Sequence, residues 1–241
     1  MNTSSQGEIK LANFKVGVDS VIFCVDLERN RLLVLVVKRI EEPFVNTWSL
    51  PGTLVREGES LESAAYRILS EKIPVKNLYL EQLYTFGGPH RDPRESPDSY
   101  GVRYLSVSYF ALVSYASAHL LLENSKQVAW YEVSKVPPLA FDHDQILDYG
   151  YQRLKNKLAY SPIAFDVLPE LFTLHDLYQL YEIVLGANFS DYSNFRNRLL
   201  KLGFLQNSKI KISKGAGRPA NLYRFSSSAF APIKDYPLVF I

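Results

Sequence analysis

Residues 51–75 read PGTLVREGESLESAAYRILSEKIPV, and no other stretch constrains the fold as much. Gly52 supplies a permissive turn after the run Trp48–Pro51. Ser60 stands as a helix N-cap, and Glu62 follows in the first turn, where negative charge suits the helix dipole. Leu61, Ala64, Ala65, Ile68 and Leu69 recur at helical spacing and make one apolar face. Pro74 ends the helix. The stretch is therefore a turn feeding a helix that lays one side on a core.

Strand signals surround it. The run from Lys15 to Val25 becomes fully apolar, as a strand buried on both faces does, and Leu32 to Val37 repeats that pattern after a turn at 28–31. Trp48–Leu50 is a short strand into the turn. Further strands are predicted at 78–86, 102–113 and 127–132. Asp142 is placed to cap a helix through about Leu158, with Ile146, Leu147, Tyr151, Leu154 and Leu158 as its apolar stripe. Strands, helix, strands, helix is the order of an α/β/α sandwich. The loop 87–101 is long enough to suggest function. Its Arg91 and Arg94 offer paired donors for a phosphate, or are simply solvated charges.

Pro162 and Pro169 mark a linker at 159–171. Beyond it, Thr173 with Asp176 three positions on forms a capping-box pattern, and Gly186 stops the helix. A second helix follows Ser190 or Asp191 and runs to about Leu202. Two strands, 205–212 and 222–225, flank the loop SKGAGRPAN. This is the order of a winged helix-turn-helix. From Ser190 to Phe225 there are eight basic residues and one acid, a net +7 in a chain of net +2, so the remainder carries −5. Such an asymmetry is a nucleic-acid footprint. Asn194, Arg196, Asn197, Arg198 and Lys201 on the second helix, with Lys214 and Arg218 at the wing, are the candidate DNA contacts.

Length and composition set outer limits. At 241 residues, 47% apolar and 22% charged, the chain supports two modest packed domains. The single cysteine, Cys24, excludes an internal disulfide and fits a reducing, cytoplasmic setting. No long apolar run predicts a membrane span or export. The expected division is a disordered tail at 1–7, a first domain at 8–158, the linker 159–171 and a DNA-binding domain at 172–241.

The 51–75 stretch resembles the Nudix box, G-x5-E-x7-R-E-U-x-E-E-x-G-U with U apolar. Aligned without gaps, Thr53 stands at the first Gly, Glu59 at the Glu, Arg67 at the Arg and Leu69 at the apolar position. Ile68 replaces the next Glu. Glu71 keeps the first of the acidic pair, Lys72 replaces the second, and Pro74 stands at the Gly. The order of elements agrees with the Nudix fold. Together with Lys38-Arg39, Glu42-Pro43, Trp48 to Gly52, Leu139 to His143, Asn194 to Leu199 and Gly217 to Phe225, the whole chain resembles the Nudix-related transcriptional regulators of bacteria.

That resemblance implies a Nudix-fold domain followed by a winged helix, acting as a homodimer on palindromic operator DNA. It implies a repressor of NAD-metabolism genes that senses ADP-ribose or a related nucleotide. Its other branch implies a sugar-responsive regulator. Magnesium wants several oxygen ligands, and Ile68, Glu71 and Lys72 sum to zero charge. The expectation is therefore no catalytic residue, no metal, no cofactor and no hydrolysis. The rival reading is an active hydrolase with a shifted site built from Glu57, Glu59, Glu62 and Glu71. Candidate effector contacts are Arg39, Trp48, Glu71, Lys72 and Arg91, with the Lys72 ammonium standing in for the missing metal. Trp48 either stacks on a base or packs in the core.

Overall fold

The computed structural model describes residues 11–70, 80–95, 101–115, 118, 127–186, 189, 191–213 and 219–233. Its centre is β1 (Asn13–Asp26), whose last seven residues are all buried. β1 runs parallel to β6 (Val102–Val113) over twelve paired positions, and antiparallel to β2 (Arg31–Lys38) and to the short β4 (Gly52–Leu54). β3 (Trp48–Ser49), β5 (Glu81–Phe86) and β7 (Val128–Glu132) complete a mixed seven-stranded sheet in the order β3-β2-β1-β6-β5, with β4 on β1 and β7 on β2.

Alternation along these strands sorts the core into two layers. Ile22, Cys24, Leu33 and Leu35 face Ile68 and Leu69 of α1 (Leu61–Ser70), and Val18, Val107 and Tyr109 face its Ala64 and Ala65. Val21, Phe23, Val34, Val36 and Phe110 face the other way, onto α2 (His143–Tyr160). Gly150 lets α2 come close. A Cβ there would lie 3.1 Å from both methyls of Val21. The α/β/α sandwich expected from the sequence is what forms. Ser60 caps α1 as expected, accepting from Ser63 N at 3.1 Å. Asp142 precedes α2 without a side-chain cap bond, because its carboxylate is taken by Arg91.

The C-terminal part begins with β8 (Phe172–Thr173) and α3 (Leu174–Leu185). Thr173 and Asp176 close the capping box reciprocally, at 3.1 and 3.0 Å. Gly186 ends α3 at φ 96°, a conformation that favours glycine. Asp191 caps α4 (Tyr192–Lys201), accepting from Ser193 N and Asn194 N. β9 (Leu205–Ile212) and β10 (Ala220–Phe225) form a hairpin that joins β8 in a three-stranded sheet of order β8-β10-β9. A short α5 (Ser227–Phe230) follows.

The segment expected as a linker is packed. After α2 it makes a 3-10 turn at Pro162–Asp166, and Ile163, Ala164 and Leu168 are buried. One apolar cluster runs from Phe23 and Val34 through Leu154 and Leu158 to Leu177, Tyr181, Phe195 and Phe204. Polar contacts cross the same junction. Tyr151 Oη donates to Val184 O at 3.0 Å, Tyr181 Oη to Leu158 O at 3.1 Å, and Gln179 Nε2 to Leu27 O at 2.6 Å. No helix of the described residues is long and apolar enough to cross a membrane.

Candidate functional site

The Nudix-box turn is locked by one pair. Arg67 on α1 grips Glu59 at two points, Nε–Oε1 2.7 Å and Nη2–Oε2 2.8 Å. The same guanidinium donates to Thr53 Oγ1 at 3.1 Å and Leu54 O at 3.1 Å, while Glu59 also accepts from Arg56 N. Hydrogen bonding from Arg67, and then from Arg56 N, holds the Glu59 carboxyl at about 2, from an ordinary 4.5. Thr53, the departure from the family's glycine, is thereby part of the clamp.

Above this clamp opens a cleft of about 500 Å³ between α1, β1, β6 and the start of α2. Ile68 lines it with an apolar side chain. Among the described residues, no three His, Cys, Asp or Glu side chains come together as a metal-binding cluster. Glu71 and Lys72 lie outside the described residues.

The rim is basic and aromatic. Lys38, Arg39 and Arg94 line it with Phe141. Arg39 donates to Pro43 O at 2.7 Å and sits 4.7 Å from the Phe141 ring centre. Arg94 lies 4.1 Å over Tyr104 and 5.7 Å from Phe141. Desolvation first, and then the like charge of Arg94, pull the Arg39 pKa below its ordinary value. Both guanidiniums lie on one aromatic patch, and Asp92 already balances the charge of Arg94.

Two arginines read from the sequence as phosphate grips are already engaged. Arg91 is 8% exposed and pairs with Asp142, Nη2–Oδ1 2.5 Å and Nε–Oδ2 2.8 Å. Arg94 pairs with Asp92, Nη2–Oδ2 2.5 Å and Nε–Oδ1 2.8 Å. Burial alone would raise the Asp92 pKa, but the Arg94 hydrogen bonds outweigh it and hold the carboxyl below its usual range. Trp48 is not a cleft residue. It packs edge-on against Tyr131, with centroids 5.5 Å apart, beside the main core.

The floor of the cleft holds residues that the sequence did not single out. Asp19 accepts from Ser106 Oγ at 2.5 Å and lies 3.6 Å from Nε2 of the buried His143. His143 Nδ1 accepts from Leu50 N at 3.0 Å, which places the ring proton on Nε2. Burial lowers the His143 pKa, outweighing the Asp19 and Asp142 carboxylates, and favours this neutral form. Gly52 makes the arrangement possible, since a Cβ there would come within 1.8 Å of Asp19 Oδ1. The signal for His143 was the stretch Leu139 to His143; for Asp19 there was only an acid inside an apolar strand.

In the winged helix, α4 buries Phe195 and Leu199 and turns Arg196, Asn197, Arg198 and Lys201 to solvent. Asn194 is also exposed, but its amide folds back onto Asp191 Oδ2. Lys209 and Lys211 are exposed on β9. Lys214 and Arg218 lie outside the described residues.

Residues 17–150 match the NUDIX domain family, and residues 160–241 match the AraR C-terminal winged HTH domain. The chain is 35% identical over 228 residues to an ADPR responsive transcriptional repressor of Acinetobacter baylyi, covering 92% of this chain and 84% of that protein. It is 28% identical over 124 residues to an ADP-ribose pyrophosphatase of Methanocaldococcus jannaschii, covering 51% of this chain and 68% of that one. Among solved structures, Shewanella oneidensis NrtR complexed with a 27mer DNA superposes with a TM-score of 0.76 at 33% identity, over 93% of this chain and 97% of that one. With a Nudix fold that continues into an AraR-type winged helix, the chain belongs to the Nudix-related transcriptional regulators of the NrtR type.

Proposed function

We propose that this protein is an ADP-ribose-responsive transcriptional repressor whose Nudix domain binds its effector without cleaving it. The observation that carries the reading is the cleft itself. It keeps the Glu59–Arg67 clamp and a basic rim of Lys38, Arg39 and Arg94, yet presents Ile68 where a metal-binding acid would stand. A pyrophosphate bears negative charge that this rim complements, and an aromatic patch at Phe141 suits a base. The full-length relation to an ADPR responsive repressor supports the same ligand.

In this reading Arg39 contacts the effector, and Arg91 serves by fixing the loop 87–95 to α2. Lys72 remains a proposed phosphate contact. Arg196, Asn197, Arg198 and Lys201 meet operator DNA from an exposed helix face, and the protein acts as a homodimer on a palindromic site. No cofactor or metal is required. The division at 8–158 and 172–241 separates the effector-binding and DNA-binding functions, which the shared core couples.

Three measurements on the full chain test this. Calorimetric titration with ADP-ribose in EDTA should show binding, and ADP-ribose should release the protein from a duplex selected from a random pool. Incubation of ADP-ribose and magnesium with the protein should yield no AMP. Magnesium-dependent binding, or stoichiometric turnover to AMP, sinks the non-catalytic sensor.

A further inference from the structure

The cleft that Lys38 and Arg39 line also holds a carboxylate on its floor. Asp19 and His143 both line it, 14% and 5% exposed at the side chain. They come from β1 and α2, far apart in the chain. Their facing atoms, His143 Nε2 and Asp19 Oδ1, stand 3.6 Å apart, just too far for a hydrogen bond between them. His143 Nδ1 is occupied by Leu50 N–H, so the ring offers a donor at Nε2. Ser106 occupies Asp19 Oδ2, so Oδ1 is the remaining acceptor. Gly52, having no Cβ, leaves room for that oxygen against the turn. A donor on the buried His143 and an acceptor on the partly buried Asp19, side by side and not joined to each other, match one functional group above others. That group is a hydroxyl, which accepts and donates from the same atom.

We infer that the Asp19–His143 pair reads a sugar hydroxyl of the effector, and that this sets its preference for a ligand ending in ribose over one ending in phosphate. An oxygen between the two side chains reaches both at about 2.8 Å. The inference rests on the effector reading above. The base and pyrophosphate go to the rim, where the aromatic ring of Phe141 and the guanidiniums lie. The far end of the ligand therefore enters the floor. A terminal ribose there satisfies Asp19 and His143. A terminal phosphate, as in ADP, sets like charges against each other over Asp19. Sites built to hydrogen-bond a hydroxyl reject analogues lacking it, because buried polar groups are left unpaired.

Titration calorimetry of the full chain with ADP-ribose and with ADP tests this, using wild type, Asp19→Asn and Asp19→Leu. Thermal melts verify that each variant is folded. Wild type should bind ADP-ribose at least about tenfold more tightly than ADP. Asp19→Asn keeps the shape and removes the charge, so its preference should fall to within about threefold, with ADP binding unchanged or tighter. Asp19→Leu should lose ADP-ribose affinity by a further step. A preference that persists unchanged in Asp19→Leu, which has no acceptor, overturns the hydroxyl reader and leaves the effector reading standing, as does equal binding of both ligands by wild type. Failure of wild type to bind ADP-ribose at all overturns the effector reading, and this inference with it.

Discussion

Arg91 and Asp142, 51 positions apart in sequence, close a two-point ion pair whose Nη2–Oδ1 distance is 2.5 Å. The pair pins the loop after β5 to the N-cap residue of α2, beside the cleft. Both side chains are largely buried, 8% and 13% exposed. Removing one partner leaves the other charge buried alone, which costs roughly 3 kcal/mol. Arg91→Ala should therefore lower unfolding stability by that order in urea titration. Arg91→Lys, with one point of contact, should fall between. A fully stable Arg91→Ala with weakened effector binding would instead make Arg91 a ligand residue.

Gly52→Ala adds a methyl 1.8 Å from Asp19 Oδ1 and 3.2 Å from Val18 O. Asp19 has to rotate and surrender its bond from Ser106. The expected cost in stability is about 1–3 kcal/mol. The larger effect should be on ADP-ribose affinity, read by calorimetry on the folded variant. Unchanged affinity would show that Asp19 plays no part in the cleft.

Glu59 carries a pH signature. Its folded-state pKa of about 2 lies below the ordinary 4.5, so its stabilising contribution is complete above about pH 4.5 and fades as pH falls toward 2. Glu59→Gln removes the group. The stability gap between wild type and Glu59→Gln should be widest near neutrality and should close between pH 5 and pH 2, as measured by denaturant titration at each pH. A gap independent of pH would mean that the Arg67 contact is not the cause.

Lys201 lies in the last turn of α4, exposed, with Arg198. Lys201→Ala should weaken binding to a selected duplex and to a scrambled one alike. It should also reduce the slope of log K against log salt by about 1. Fluorescence anisotropy over a salt series measures both. Selective loss on the selected duplex would assign Lys201 to a base edge instead.

Local chemistry made much of this legible. The capping box at Thr173–Asp176, the glycine stop at Gly186 and the apolar strand around Cys24 are short-range signals, and each stands where its neighbours dictate. The Glu59 and Arg67 positions were legible through the spacing of the box, but their ion pair appears only in the structure. Long-range pairing was not. Arg91 was readable as a free cation only because Asp142 lies half a domain away, and Asp142 was readable as a cap for the same reason. Trp48 shows the limit of residue type as evidence, because an indole in a short strand serves a core as well as a ligand, and only the fold shows that it packs against Tyr131. Asp19 and His143 meet only once β1 lies beneath the start of α2, so neither announced the other.

Helix α2 begins at His143 in the cleft floor and ends at Tyr160, with Leu158 O held by Tyr181 and Tyr151 holding Val184 O. Its 18 residues span about 27 Å as a straight rod. Gly150 seats that rod directly on Val21 near its middle. One continuous helix thus joins the floor of the cleft to α3, the helix that packs on α4, so the cleft and the helix-turn-helix share one structural member.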